Sequence, residues 1–311
     1  MHDVQLHVGT FTPSLLIHLA RNAGSLRRAG IDVRESLVSS SPAQFRSLEA
    51  GEFDLVATSP DNVLAYRFLS QNPLGRNLPV EILAAVDRGL GLSLCLAPSV
   101  RAVGEVRGKV LSVDASKSGF AFVAYALLDR ADLHPGDYAV EELGSTPRRA
   151  SALIDNGCAA TVLNAGNELR AEGAGCTILS SVADIGPYLG TVIAGMAVGD
   201  PVVDDTRRRF VDLLLETARE IVAGEREAEV IEAAMSLLNL TETEAQAHYA
   251  CLLAPTTGLI PDGIVDRAPI STLLDLRRKY MPTLELDSIA DSLATMVIDR
   301  ALEPPSASSC G

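Results

Sequence analysis

The chain of 311 residues contains no tryptophan and only 4% aromatic residues. That scarcity argues against an aromatic-lined groove and for close packing of small side chains between helix and sheet. Basic residues are scarce too: 26 Lys plus Arg stand against 40 Asp plus Glu, a formal net charge of −14. A field of that sign repels polyanions, so neither nucleic acid nor an anionic membrane surface is expected as a partner. No run of about 18 apolar residues occurs, and direct membrane insertion is not expected. The five cysteines (Cys95, Cys158, Cys176, Cys251, Cys310) are odd in number and lack CxxC spacing, which points away from a disulfide framework or a zinc site. In their Ala- and Val-rich surroundings the first four read as small buried hydrophobes, and Cys310, in a Pro/Ser-rich tail, as exposed. No GxGxxG, Walker loop, HExxH or GxSxG is found, and Gly89-Leu90-Gly91 lacks a phosphate-loop context. No cofactor or metal is implied. Met1-His2-Asp3 has no basic region, and the strand behind it is too short and polar for a signal-peptide core. The location therefore reads as cytoplasmic if Met1 is the native start, and otherwise as exported with the signal removed.

What is present is a hydrophobic content of 47%, enough for a sizeable core. Strand and helix signals alternate through the first two thirds, the mark of parallel sheets with helices on their faces. Val4 to Gly9 reads as a strand. Leu15, Leu16, Leu19, Ala20 and Ala23 then share one helical face, and Gly24 supplies a stop. Strand Ile31 to Val38, a helix from Pro42, strand Leu55 to Thr58, a helix from Pro60 and strand Val80 to Val86 follow, with Gln71 to Pro79 as a surface loop. Two apolar runs, Leu90 to Leu96 and Thr191 to Met196, are expected to cross between two halves, with a smaller α/β unit between them. After Asp200-Pro201 the pattern turns helical. Phe210, Val211, Leu214, Ala218, Ile221 and Val222 form a stripe, Thr241 to Glu244 a capping box, and further helices are expected near Ile270 to Lys279 and Ser288 to Ala301.

The order of the first strand and helix, then Gly30-Ile31-Asp32-Val33, then Leu48-Glu49-Ala50-Gly51-Glu52-Phe53-Asp54-Leu55-Val56-Ala57-Thr58 resembles the first lobe of type 2 periplasmic solute-binding proteins. The likeness is to the branch that serves sulfonates, nitrate and thiamine precursors, and Arg107-Gly108-Lys109-Val110 is similar to that branch's entry into its second lobe. It implies an α/β, two-lobed fold: two mostly parallel sheets flanked by helices and joined by a two-stranded hinge. Residues 1–92 and 194–311 would form the first lobe, the C-terminal helices packing back on it, and residues 93–193 the inserted second. It also implies a small organic ligand, planar or anionic, held between the lobes, and an ABC permease as partner. The alternative is a soluble enzyme on the same scaffold, a lyase or decarboxylase acting on a small aromatic or carboxylic acid. The nucleophilic cysteine of the sulfinate-cleaving relatives has no counterpart here, because Phe11-Thr12-Pro13 occupies that turn.

In open parallel sheets ligands bind beyond the carboxyl ends of strands, where helix N-termini offer N–H groups and positive dipole ends. Three turns fit that description: Thr10-Phe11-Thr12-Pro13, Ser59-Pro60-Asp61-Asn62 and Ser116-Lys117-Ser118-Gly119. The same Ser, Thr and Asp residues could equally serve only as helix caps. Candidate ligand-binding residues are thus Thr10, Phe11, Ser59, Asn62, Ser116, Ser118 and Gly119. The resemblance adds Ser39, Ser40, Asp87, Arg88, Asn164 and Tyr188, which fall where relatives face their ligand. Ser40 also reads as a cap. Arg88 would suit an anion and Asp87 an amine, which leaves the ligand's polarity open.

Overall fold

The structure is a computed structural model that describes residues 4–197, 199–283, 285–289 and 295–297. Cys310 and most of the helix expected over residues 288–301 lie outside them. Strand β1 (Val4–Thr10) leads into helix α1 (Leu15–Asn22) and the short α2 (Ser25–Arg28). Leu15, Leu16, Ile17, Leu19 and Ala20 are buried on α1, whereas Ala23, expected on the same face, lies past the helix end and is exposed. Then come β2 (Ile31–Leu37), α3 (Ser41–Glu49), β3 (Leu55–Thr58), α4 (Pro60–Phe68) and β4 (Val80–Asp87). A serine hydroxyl opens each longer helix: Ser14 accepts from the N–H of Ile17, Ser40 from Ala43 and Ser59 from Asp61. Pro42 and Pro60 sit in first turns, where a missing N–H is harmless.

The middle of the chain supplies β5 (Ser93–Leu96), β6 (Val110–Val113), α5 (Gly119–Asp129), β7 (Ala139–Glu142), α6 (Thr146–Ile154), β8 (Ala160–Leu163), α7 (Asn167–Gly173) and β9 (Thr177–Ser181). It ends with β10 (Thr191–Met196), followed by α8 (Pro201–Val222), α9 (Glu227–Leu238), α10 (Glu242–Leu253), α11 (Arg267–Tyr280) and α12 (Glu285–Ile289). Two five-stranded sheets result, ordered β2-β1-β3-β10-β4 and β7-β6-β8-β5-β9. In each, four strands run one way and a single strand runs against them: β10 in the first sheet, β5 in the second.

Those two reversed strands are the ones the chain enters on crossing from one sheet to the other. β4 leaves the first sheet at Asp87, and β10 comes back beside it with Thr191 opposite Asp87. β5 starts at Ser93, opposite Leu163 and Ser181, the last residues of β8 and β9. Both crossings therefore lie at the carboxyl ends of the co-directional strands of both sheets, the end at which such sheets bind ligands. Gly190 N–H donates to Asp87 O at 2.9 Å and Val182 N–H to Leu92 O at 2.8 Å, tying the crossings together. Gly89 (φ 116°), Leu90 (φ 46°) and Gly91 (φ 75°) all have positive φ, and glycine supplies two of the three. Gly190 is needed for closeness instead, since a Cβ there would stand 2.6 Å from the backbone N of Gly89.

One face of the first sheet buries Leu6, Val8, Leu83 and Ile193 against α1, α8, α9 and α10, whose contributions include Leu16, Phe210, Leu214 and Ala245. Val222, expected in the α8 stripe, is exposed at the helix end. The capping box is present, with Thr241 and Glu244 each accepting the other's backbone N–H. The other face shares a continuous core with the second sheet, from Phe45 and Tyr66, stacked at 3.9 Å, to Leu94, Leu111 and Phe122.

Helix α11, expected to pack back on the first lobe, meets α4 of that lobe and also packs on α5, which flanks the second sheet, because the groups it must satisfy lie on both sides. Arg277 on α11 makes a bidentate pair with Asp61 of α4 (2.7 and 2.7 Å), both residues buried. The same guanidinium lies over the Phe122 ring of α5 at 5.2 Å. One helical step on, Lys279 pairs with Asp129 of α5 at 2.7 Å, and the Tyr280 hydroxyl donates to Asp129 at 2.5 Å. Removing one member of a buried pair strands the other charge, at a cost of about 3 to 5 kcal/mol. Arg277→Met should lower the unfolding free energy by about that amount in urea titrations, and Asp61→Leu combined with Arg277→Met should recover most of it. Equal destabilisation by the single and double variants would refute an ion-pair role.

Candidate functional site

A cavity of about 160 Å³ lies between the carboxyl ends of the two sheets. From the first sheet it is lined by Thr10, Phe11, Ser14, Thr58, Ser59, Asn62, Asp87 and Thr191, and from the second by Asp114, Ser118, Gly119, Ser145, Thr146, Arg149 and Asn164. Of the residues singled out in the sequence, the structure thus brings together Thr10, Phe11, Ser59, Asn62, Asp87, Ser118, Gly119 and Asn164. Ser39, Ser40, Arg88, Ser116 and Tyr188 are not in that lining. Ser39 is exposed and Ser40 caps α3. Arg88 is turned toward the C-terminal layer, its guanidinium donating to Leu259 O at 3.0 Å. Ser116 holds the loop through its N–H to Glu142 (2.7 Å) and its carbonyl, which accepts from the Tyr125 hydroxyl (3.0 Å). Tyr188 is buried behind the crossing near Gly89, with its phenol pushed well above its ordinary pKa by burial and its hydroxyl unpaired.

Each of the three helix starts proves to hold a carboxylate of the protein itself. Glu35 of β2 accepts from the Thr10 hydroxyl and from the Ser14 N–H, both at 2.8 Å, and so occupies the anion position at α1. Asp61 stands in the first turn of α4, tied to Arg277. Asp114 accepts from the Ser118 hydroxyl at 2.5 Å at the start of α5. Gly119 lets the α4 and α5 starts meet: a Cβ on it would stand 2.7 Å from the Asp61 Cβ. The cavity's cation is Arg149, fully buried one turn into α6. It donates to Gly144 O, Thr146 Oγ1, Thr161 Oγ1 and Val162 O, and burial lowers its pKa while the nearby Asp114 opposes that shift.

Asp87 is the focal carboxylate. It is 1% exposed; Oδ1 accepts from the Gly89 N–H at 2.8 Å, and Oδ2 has no partner. Desolvation raises its pKa to about 6, against the pull downward of the Gly89 N–H and of the adjacent Thr191, which lies beside the carboxylate without a hydrogen bond of ordinary geometry to Oδ2. Asn62 is fixed by donating to Thr58 Oγ1 at 3.0 Å, and Asn164 by a long contact to Gly89 O at 3.4 Å. Cys95, Cys158, Cys176 and Cys251 are outside the lining, and burial pushes every one of these thiols up, Cys176 to about 11 and Cys251 to about 12.

Asp114, Ser145, Thr146 and Arg149 line the cavity without having been singled out. The first three follow strand ends or start a helix, so the strand-end rule reaches them. Arg149 gives no such signal. His248 of α10 also lines the cavity, among Leu214, Ile221, Leu238 and Leu252. Its imidazole is 1% exposed and is pushed down to about 4 by burial.

No family profile matches the chain, and no curated protein sequence does either. Solved structures do match. The chain superposes on an alkanesulfonate-binding protein of Xanthomonas axonopodis pv. citri bound to MOPS with a TM-score of 0.72 and 13% identity, covering 96% of this chain and 99% of that one. For the periplasmic nitrate-binding protein of Synechocystis PCC 6803 the TM-score is 0.70 at 13% identity, covering 97% and 91%. A Candida albicans protein described as having the generic periplasmic binding protein fold gives 0.71 at 14% identity, covering 96% of each chain. The chain has the type 2 periplasmic-binding-protein fold, as its opening motifs imply.

The raised pKa of Asp87 has a defined consequence for stability. Between pH 3.8, where an unfolded Asp titrates, and about 6, the folded state holds this proton and the unfolded chain does not, so this group withdraws stability as pH rises through that window. Asp87→Asn should therefore gain stability relative to the parent above pH 6, by on the order of 3 kcal/mol, and lose that advantage below pH 4. Denaturation of both proteins across pH 3.5 to 8 measures the difference; a pH-independent difference would exclude a titrating Asp87.

Proposed function

We propose that this protein captures a small organic solute in the cavity between its two sheets, as a solute-binding protein does for ABC-type uptake. Residues 1–92 and 194–311 act in this reading as one lobe and residues 93–193 as the other, hinged at the paired crossings. The observation that carries it is the cavity itself: buried polar groups from both sheets, Thr10, Asn62 and Asp87 on one side and Ser118, Thr146 and Arg149 on the other, converge on one space. A solute that touches both sides favours the closed arrangement by its differential affinity, and nothing else is required for closure. The similarity in fold to sulfonate- and nitrate-binding proteins supports the reading and makes an ABC permease the natural partner. A lyase step that relies on a cysteine nucleophile is disfavoured, since none of the four described thiols is in the cavity lining and burial pushes each of them up.

Native mass spectrometry of the purified protein, with small-angle scattering on addition of alkylamines, alkanesulfonates or nitrate, tests this directly. One bound molecule per chain and a smaller radius of gyration are expected. Asp87→Ala should weaken binding by about 1 to 3 kcal/mol, the cost of leaving a buried polar partner unpaired. Catalytic turnover of a bound compound would replace this reading with the enzymatic one, and an unchanged affinity in Asp87→Ala would move the site elsewhere.

A further inference from the structure

The cavity does not stop at the polar cleft. It continues on the face of the first sheet covered by α8, α9 and α10, where Val86, Ile193, Leu214, Ile221, Leu252 and Leu259 line it together with His248. One wall of this extension can be followed residue by residue. His248 and Leu252 are one turn apart on α10, the Leu252 carbonyl accepts the Leu259 N–H at 2.9 Å, and Leu259 pairs in antiparallel fashion with Asp87. An apolar passage thus joins two buried polar side chains, Asp87 and His248. Each carries an atom with no hydrogen-bond partner: Oδ2 on Asp87 and Nδ1 on His248.

Buried polar atoms are nearly always paired, and each exception calls for an explanation. A core packed only for stability would accommodate leucine at position 248, where the surrounding side chains are aliphatic. Oδ2 of Asp87 is an acceptor awaiting a donor, and the cation beside it in the chain, Arg88, is turned away to donate to Leu259 O. The one buried cation of the lining, Arg149, already donates to four acceptors of its own surroundings and has the Asp114 carboxylate nearby to offset its charge. The polar end of the cavity is therefore arranged for a donor-bearing, positively charged group rather than for a sulfonate or nitrate. The far end is apolar except for a neutral imidazole, which can donate or accept according to its tautomer.

Resting on the solute-binding function proposed above, we propose that the solute is an elongated, apolar-bodied amine whose protonated nitrogen sits on Asp87. Its body occupies the passage beneath α8 and α10, and a neutral hydroxyl at its far end is hydrogen-bonded to His248. Charge at one end and a hydrogen bond at the other set both the polarity and the length of what is accepted.

Three homologous series serve as probes in calorimetry at neutral pH: α,ω-amino alcohols from aminopropanol to aminooctanol, n-alkylamines, and n-alkanesulfonates of matching length. Amino alcohols are expected to bind tightest, with an optimum at one chain length, and to exceed the equal-length alkylamine by about tenfold, the worth of one buried hydrogen bond. His248→Leu should erase that tenfold preference while leaving alkylamine affinity in place, and its thermal unfolding should match or exceed that of the parent. Leu214→Phe, which fills the passage without touching either polar end, should abolish the length optimum. The inference is overturned if sulfonates bind as well as amines, if the amino-alcohol preference survives in His248→Leu, or if affinity is indifferent to chain length. Binding of sulfonates or nitrate alone would overturn it while leaving the solute-binding function standing. Failure of every series, without any contraction in scattering, would overturn both.

Discussion

The constraint on which the rest depends is where the chain changes sheets. Because β5 and β10 are each entered directly from the other sheet and run against their neighbours, both crossings are forced to the carboxyl ends of the remaining strands. The turns that follow β1, β3, β6, β7 and β8 must open toward the same space. The crossings then have to be thin enough to lie side by side, which is why Gly89, Gly91 and Gly190 stand where any Cβ would be strained or obstructed. Asp87, at the last pair of β4 with β10, is buried by that arrangement. Its high pKa follows from its position in the topology.

A second constraint acts across the cavity. Three helix N-termini facing one space create a positive field that invites an anion. Here the protein answers that field from within, with Glu35, Asp61 and Asp114 at the three starts. Of the three, Asp61 alone is in a bidentate pair, while Asp114 has the buried Arg149 nearby, and the helix that brings Arg277 to Asp61 also rests on α5. The bidentate pair thus does two things: it cancels one of the three charges and ties α4 to the flank of the second sheet. Such a pair contributes little net stability relative to apolar residues, but it tolerates poorly any loss of geometry. The relative placement of α4, α5 and α11 is accordingly set by charge, while the two layers of core are set by volume.

The sequence makes the architecture legible where local rules and topology agree. The serine caps before Pro42 and Pro60, the capping box at Thr241 and the loop from Gln71 to Pro79 are all short-range signals, and each lies where its chemistry requires; the apolar runs expected as crossings, Leu90 to Leu96 and Thr191 to Met196, are mostly strands β5 and β10, which the chain enters on crossing. Helix α11 illustrates the opposite case. Its apolar stripe specifies that it packs, but its location depends on Asp61, far away in the chain, and on the Phe122 ring. The candidate site divides in the same way. Residues in the turns between strand ends and helix starts, such as Thr10, Ser59 and Ser118, follow from the strand-end rule, and Asp87 from the resemblance. Arg88 obeys that rule and still faces elsewhere, since a strand end fixes a backbone position and leaves the side chain to its neighbours, and Tyr188, added by the resemblance, lies in the segment before β10. The role of Ser40 turns on the same ambiguity, because a serine before a helix is a cap first and a ligand contact only if the cavity reaches it.

His248 shows why the apolar half of the cavity was out of reach from the sequence. On α10 it falls among alanines and leucines at no distinctive spacing, and its surroundings come from α8, β10 and the segment after α10, all remote in sequence. Its burial carries an energetic signature opposite to that of Asp87. The folded state resists charging the imidazole until about pH 4, so this residue withdraws stability as pH falls from 6.5, whereas Asp87 withdraws it as pH rises toward 6. The two windows overlap almost completely, so the two residues oppose each other in the pH dependence of the unliganded protein. A molecule that gives Asp87 a positive partner stabilises its ionised form, and one that gives the imidazole a neutral partner leaves it uncharged. Both ends of the cavity then favour the protonation states present at neutral pH, where Asp87 alone withholds stability, and a positive partner returns that stability as binding free energy.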